Sequence, residues 1–478
     1  MTENNITVNT LVSYDECDKI SLIKMCNDKG IKWEYDTDVI ELRNSLYNYD
    51  INPSKEKKYI NIESEYSEIK KYYDQILNKD GNLVKTSNDE PTPISCVEEM
   101  VDKIPNSFWK NPDIKILDPC CGSGNFPLVI YFKLIEHHSR SHILENMLYF
   151  NDTNLDRIGV IRHLFNYNEL NIYNGDFLKM TDTIMFDLIV ANPPYAYLLP
   201  SGKRASKNHN LIGQFLSKSF TLLKEGGFIL YITPDNWMSI SDRNTLIYEL
   251  TSLQIIHINI HTAKKYFKKI GSSFVWYLIE NKPFYKNINI EGVWKKKEYT
   301  DSVKSCVRGY IPLFYTSIIQ SILEKTIDND NVTKYKIETS SYLHKYTKKQ
   351  LISTTEDDIY KYKLIHTPKQ TVWSSTPHKF QDGYKVFLPT TSYYGPFVDS
   401  CGMTQSIAFI RCDSKEDAEL KNKILNHTLY KFINNICRYG NFNNVRILQK
   451  FPVCNQLDNV YSTFNITDEE VKYIEAHI

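Results

Sequence analysis

Between Ile114 and Ile279 short apolar runs alternate with longer segments whose apolar residues recur at helical spacing. The runs Ile114 to Leu117, Met147 to Phe150, Asn171 to Tyr173, Phe186 to Val190 and Phe228 to Ile232 predict buried strands. Leu128 to His137, Leu155 to Phe165 and Leu211 to Leu223 predict helices between them. Strand, helix, strand in regular succession predicts an α/β fold, a parallel sheet with helices on both faces. A terminal pair, Ile255 to Ile260 and Phe274 to Ile279, makes that sheet mixed. Ligands of such sheets sit at the carboxyl edge, where Asp118, Asp152, Asp176 and Asn192 each follow a strand-like run.

The flanks read differently. From Asp15 to Tyr49 two short amphipathic helices surround Gly30, with Ile20, Ile23, Met25 and Cys26 before it and Val39, Ile40, Leu42 and Leu46 after. The stretch resembles small helix-extended-helix modules of the SAP kind that touch DNA. A helical hairpin packed on the next domain is the alternative, since so short a segment forms little core alone. Residues 52–58 read as a linker, and Ser64 to Leu77 as a helix. Beyond Asn281 the alternation stops, and the charged run Trp294 to Glu298 marks a boundary. From Arg308 to Val453 short strands with Gly, Pro and Ser turns mix with helices at Ile311 to Leu323 and Ala418 to Asn435. The predicted divisions are 1–52, a helical module; 53–88, linker and helix; 89–290, catalytic; 300–460, a mixed α+β domain; and 461–478, a tail.

Composition narrows the class without naming the function. A chain of 478 residues has room for several cores. Its ten cysteines form no CxxC pair and no Cys/His cluster with zinc spacing, so reduced thiols are expected rather than a disulfide framework or metal site. Met1 to Asn9 is polar, and no run approaches the roughly eighteen apolar residues of a membrane span. An intracellular protein is expected, in the cytoplasm of a prokaryote or of a virus-infected cell. Lys plus Arg equals Asp plus Glu at 57 each, so any track for nucleic-acid phosphates must be a local patch.

Two motifs carry chemistry. After Ile114 to Leu117 comes Asp118-Pro119-Cys120-Cys121-Gly122-Ser123-Gly124-Asn125-Phe126, in which Gly122 and Gly124 let the backbone turn sharply against a ligand. The third glycine of a dinucleotide fingerprint and the Gly-Lys-Ser/Thr of a phosphate loop are both missing, which points to a nucleoside without pyrophosphate. After Phe186 to Ala191 comes Asn192-Pro193-Pro194-Tyr195. Prolines remove backbone donors and leave carbonyls free. The Asn192 amide oxygen and Pro193 carbonyl can accept both hydrogens of one amine while the Tyr195 ring lies against its heterocycle.

Together "ILDPCCGSGNF" and "FDLIVANPPY", about seventy residues apart, resemble the S-adenosylmethionine-dependent DNA adenine methyltransferases that modify the 6-amino group. The order matches their γ class, in which a target-recognition domain follows the catalytic one. "PTPISCVEEMVDKI" resembles the family's Thr-Pro segment, "NGDFL" its adenine-contacting motif, and "NLIGQFLSKSFTLLKEGGFILYITPDNWM" the helix and strand beyond; the likeness spans Asp89 to Asn281. It implies a Rossmann-like methyltransferase sheet and S-adenosylmethionine as cofactor. Thr92, Pro93, Asp118, Cys120, Gly122 and Gly124 would face the methionine moiety, with Asp176 and Phe177 at the adenine ring. Asp152 is assigned to the ribose hydroxyls, against the alternative of a helix cap. Asn192, Pro193 and Tyr195 would hold a base flipped out of duplex DNA, and Phe267 would cover its other face. Ordinary core is the rival role for Phe267, and Tyr266 competes for the stacking position.

The basic segment "AYLLPSGKRASKNHN" offers Lys203, Arg204 and Lys207 to phosphates, or is merely a connection. In the recognition region Lys369, Lys379, Lys385, Arg411, Arg438 and Arg446 are interleaved with Trp373, Tyr393, Tyr394 and Phe397; Tyr393, Tyr394 and Arg438 are the chosen DNA contacts. His137, His138 and His142 lack convergent acids and read as surface histidines. The expected partners are double-stranded DNA and a separate cognate restriction endonuclease. RNA adenine or protein glutamine methylation with the same pocket, and a degenerate DNA-binding subunit, remain the alternatives.

Overall fold

Seven short apolar segments of the first half pair into one sheet: β1 (Ile116–Asp118), β2 (Leu148–Asn151), β3 (Asn171–Tyr173), β4 (Phe186–Ala191), β5 (Leu223–Pro234), β6 (Leu253–Ile260) and β7 (Phe274–Pro283). The computed structural model describes residues 17–28, 37–51, 60–81, 83, 90–181, 184–195, 211–241, 245–267, 273–440 and 442–478. They form two units, one of the residues up to Pro234 plus Leu253–Phe284, the other of Asp235–Ser252 plus Tyr285–Ile478.

In the first unit the strand order is β3-β2-β1-β4-β5-β7-β6. Strands β1 to β5 are parallel, and β7 runs against both β5 and β6. The chain leaves β1 toward β2 and β3 and then returns past it to β4 and β5, so the order reverses between β1 and β4. That reversal opens a crevice at the carboxyl ends of the two strands. Leu117, Ile189, Val190 and Leu230 are fully buried, which is why the central strands read as unbroken apolar runs.

The helices Asn125–Leu134, Leu155–Phe165 and Leu211–Leu222 lie where the periodicity predicts them. The first starts at Gly124, whose φ of 91° reverses the chain directly from the β1 loop into the helix. The N-terminal helices Lys19–Asp28 and Val39–Ile51 close on Leu22, Cys26, Leu42, Leu46 and Tyr47. They pack as the hairpin alternative expects: the Arg162 guanidinium lies 5.6 Å from the Tyr47 ring, and Asn44 Nδ2 donates to Asn168 Oδ1 at 2.8 Å. Gly30 and the 52–58 linker lie outside the described residues.

The second unit begins with a hairpin, Ile288–Trp294 against Lys297–Val303. The charged run Trp294 to Glu298 is its turn. Lys295 and Lys296 take φ of 47° and 68°, the two left-handed residues of a tight hairpin, in a sequence with no glycine to signal it. Two four-stranded sheets follow, one around Lys385–Pro389 and Ile407–Arg411, the other around Tyr362–Thr367 and Gln370–Ser374. The helix expected from Ile311 starts only at Ser317, where Thr316 Oγ1 caps it by accepting from Ile319 N. The helix expected over Ala418 to Asn435 is two, Lys415–Leu425 and Thr428–Ile436, because the His427 side chain caps the second. Within 461–478 the helix Asp468–Ala476 starts in a capping box and is anchored by Glu470, which accepts from Lys325 and Ser321 at 2.7 Å.

An added Cβ at Gly124 would lie 2.6 Å from Ile161 Cδ1, whereas at Gly122, with φ of 55°, it would meet open space. Gly124→Ala is therefore expected to cost about 1–3 kcal/mol from overpacking plus left-handed strain, and Gly122→Ala about 1 kcal/mol from strain alone. Chemical denaturation of the two variants side by side checks the order.

Candidate active site

The tip of β1 buries a carboxyl group. Asp118 is 3% exposed, and its Oδ1 accepts from Cys120 N at 3.2 Å. Its Oδ2 is buried and has no hydrogen-bond partner among the described residues; Thr92 Oγ1, on the same cavity, is in the same position. Burial pushes the Asp118 carboxyl well above the usual carboxylate range, and the nearby Asp152 adds to the rise.

Beside it Asp152, at the end of β2, accepts from Gly122 N at 2.9 Å and from Asn154 N at 2.8 Å, and Arg157 Nη1 lies 3.8 Å away. Asn154, not Asp152, caps the helix Leu155–Phe165. The loops are tied to one another by side-chain amides. Asn151 Nδ2 donates to Pro119 O at 2.8 Å and Gly175 O at 3.1 Å; Asn125 Nδ2 donates to Thr92 O at 2.8 Å. Arg157 donates through Nε and Nη2 to Leu83 O at 3.1 and 2.7 Å.

These groups surround a cavity of about 430 Å³, the size of a nucleoside-class ligand site. Of the residues predicted from sequence, Thr92, Asp118, Cys120, Gly122, Asp152, Asp176, Phe177 and Asn192 line it. Pro93 and Gly124 are not on its wall; each stands immediately before a helix, Ile94–Val101 and Asn125–Leu134. Sequence reasoning missed Leu83, Glu90, Arg157, Leu211 and Phe215, which also face the cavity. Arg157 carried a signal, as the only cation in the first turn after Asp152. Phe177 packs on Phe215 with ring centroids 5.2 Å apart, making an apolar wall, while Asp176 accepts from Leu178 N at 3.1 Å.

At the end of β4, Asn192 Nδ2 donates to Glu90 O at 3.0 Å and Tyr195 Oη donates to Asn192 Oδ1 at 2.6 Å. Because the Glu90 carbonyl can only accept, the amide nitrogen must face it, and this fixes where Asn192 Oδ1 points. Cys120 Sγ donates to the Asn192 backbone carbonyl at 3.5 Å. Burial raises the Tyr195 hydroxyl above its ordinary value, so it remains a neutral donor.

Phe267 does not line the cavity. It is 1% exposed and stacked on Phe274 at 4.5 Å, while Phe274 lies 6.1 Å from Tyr195, so the ring nearer the tetrapeptide is Phe274. Tyr266, the competitor, donates its hydroxyl to Glu99 at 2.9 Å. In the second unit Tyr393 is 84% exposed beneath the Arg438 guanidinium at 5.0 Å. Tyr394 differs from the expectation of a DNA contact: its hydroxyl donates to Leu425 O at 2.9 Å and its ring packs on Phe451, uses internal to that unit. Lys203, Arg204 and Lys207 lie outside the described residues. His138 and His142 hydrogen-bond the carbonyls of Trp109 and Pro112, and no group of three metal-ligating side chains occurs among the described residues.

A parallel sheet that reverses order between β1 and β4 and has an antiparallel β7 inserted between β5 and β6, with a nucleoside-sized cavity over its carboxyl edge, is a Rossmann-like methyltransferase fold. Residues 123–267 match the model of the Eco57I restriction-modification methylase family. It is similar to the type II methyltransferase M.TthHB8I of Thermus thermophilus, with 33% identity over 90 residues covering 15% of this chain and 21% of that one. It is also similar to M.HincII of Haemophilus influenzae, with 26% identity over 250 residues covering 47% of this chain and 44% of the relative. The chain thus spans less than half the length of these two relatives. A solved structure of the type IIL restriction-modification enzyme MmeI in complex with DNA shares the fold at a TM-score of 0.51 and 10% identity, over 91% of this chain and 74% of that one.

The raised Asp118 carboxyl has a stability consequence. Between the ordinary carboxylate pKa and the raised one, the folded state holds a proton that the unfolded state has lost, so stability falls as pH rises through that window. Asp118→Asn, which removes the charge and keeps the shape, is expected to raise the thermal midpoint of the ligand-free protein at pH 8, with the gain shrinking toward pH 4. Thermal scans of both proteins across that range check the sign.

Proposed function

We propose that this chain is a site-specific DNA methyltransferase of the γ arrangement, transferring a methyl group to the 6-amino group of an adenine turned out of duplex DNA. The observation that carries the reading is that Asn192 opens on the same cavity as Asp118, Gly122 and Asp152, with its acceptor oxygen already oriented. S-adenosylmethionine, the methyl donor, supplies a methyl group made electrophilic by its sulfonium.

The residues fit that cofactor. Among the described residues the buried Asp118 Oδ2 and Thr92 Oγ1 have no hydrogen-bond partner, and a cationic amino group answers the first as donor and ion. Asp152, at the end of the neighbouring strand and on the same cavity, would accept from the ribose hydroxyls. Asp176 and the Phe177 wall would take the adenine ring, and Gly122 brings the backbone close.

An aromatic amine is a poor nucleophile because its lone pair is delocalised into the ring. Asn192 Oδ1 and the Pro193 carbonyl would hold its two hydrogens, favour a pyramidal nitrogen and stabilise the positive charge that develops there. Tyr195, donating to Asn192 Oδ1, keeps that oxygen in place. Residues 300–460 would read the DNA site, with exposed Tyr393 and Arg438 among the contacts and Lys203, Arg204 and Lys207 on phosphates. A separate endonuclease partner in the same cytoplasm completes the reading.

Incubation with tritiated S-adenosylmethionine and, separately, duplex DNA, bulk RNA and a glutamine-bearing protein tests it. Label on DNA adenine is expected; label confined to RNA or glutamine would overturn the DNA assignment. Asn192→Ala is expected to lower transfer by about 10²–10³-fold while cofactor affinity, measured by calorimetry, stays within about twofold.

A further inference from the structure

The helix Ile94–Val101 carries two adjacent acids that face different ways. Glu98 is held by Tyr66 Oη at 2.7 Å and Lys70 Nζ at 2.6 Å, on the N-terminal side of the unit. Glu99 instead reaches the carboxyl edge of the sheet, where three donors converge on it: Lys265 Nζ at 2.8 Å, Tyr266 Oη at 2.9 Å and Asn259 Nδ2 at 3.4 Å, with the Thr262 hydroxyl donating to Asn259 Oδ1 beside them. Lys265 alone would contribute little, being half exposed. The neutral donors make the contact a three-point clamp on the end of β6 and the segment after it.

That segment ends in Phe267, stacked on Phe274, which lies beside Tyr195. Because β7 runs against β6, the end of β6, the start of β7 and the end of β4 share one edge. Tyr195 in turn holds Asn192, and Asn192 holds Glu90, four residues before the helix that bears Glu99. The contacts close a ring that runs from the cofactor-side strap through Glu99 to the aromatic rings and back through the tetrapeptide.

We infer that Glu99 is a positioning residue for the target base, fixing the Phe267 and Phe274 rings beside Tyr195 relative to the cofactor-side helix. The inference rests on the proposed base methylation. Glu99 touches neither base nor cofactor; it sets where the rings stand when the adenine enters.

The test compares Glu99→Ala and Glu99→Gln in the full chain, reading turnover on a duplex with adenine at the methylated position mapped from wild-type products and base extrusion on a second duplex with 2-aminopurine there. For Glu99→Ala the turnover number is expected to fall about 10–100-fold and the 2-aminopurine fluorescence rise on binding to be lost, with KM for S-adenosylmethionine within about twofold. Glu99→Gln keeps an acceptor for Tyr266 and Asn259 and is expected to recover most of both signals. Wild-type turnover and fluorescence in Glu99→Ala would overturn the inference. So would a parallel loss of cofactor affinity and thermal stability with no separate change in turnover, which is the mark of a mere brace. Failure of the wild-type chain to methylate DNA would overturn the underlying reading and this one with it.

Discussion

An acid buried at the end of a parallel strand must be answered by donors, and Asp118 is answered only in part. One oxygen is held by the turn that follows it, while the other faces the cavity alone. Everything around it is organised to keep that arrangement: Gly122 offers its N–H to Asp152, Asn151 ties the loops after β1 and β3, and Asn125 ties the helix start to Thr92. The fold spends its own donors on fixing the loops and leaves the ligand-facing acceptor open. A site of this kind is unfavourable when empty and selective when filled, since a buried ion is tolerated only with a partner.

The tetrapeptide at β4 follows a different logic. Its amide is held by protein partners before any substrate arrives, through Glu90 on one side and Tyr195 on the other, with a second lone pair left on the oxygen. Orientation is thereby fixed in advance, which is the part of catalysis that a static scaffold can supply.

Much of this was legible in the sequence, because it depends on local pattern. Unbroken apolar runs such as Phe186 to Val190 belong to strands buried on both faces, and acids or amides directly after them fall on the carboxyl edge. The groups that were missed come from far away in the chain: Leu83 reaches the cavity through Arg157, and Phe215 through Phe177. Phe267 shows the limit most clearly, since motif spacing placed an aromatic residue near the pocket, but only packing decided that Phe274 stands between it and Tyr195. In the second unit strands of two to seven residues leave little periodicity to read, and the Lys295-Lys296 turn adopts a backbone that its residue types do not announce.

The cavity wall also has a bearing on where this chain can be cut. The family match begins at Ser123, yet β1, the Asp118 carboxyl, the Glu90 carbonyl and Thr92 all precede it. A fragment trimmed to that match would lack β1 and one side of the cavity. A fragment that keeps the whole cavity must therefore start upstream of the Thr-Pro segment, and since Tyr73 also donates to Ser123 O at 2.7 Å, upstream of the helix Tyr66–Gln75 as well.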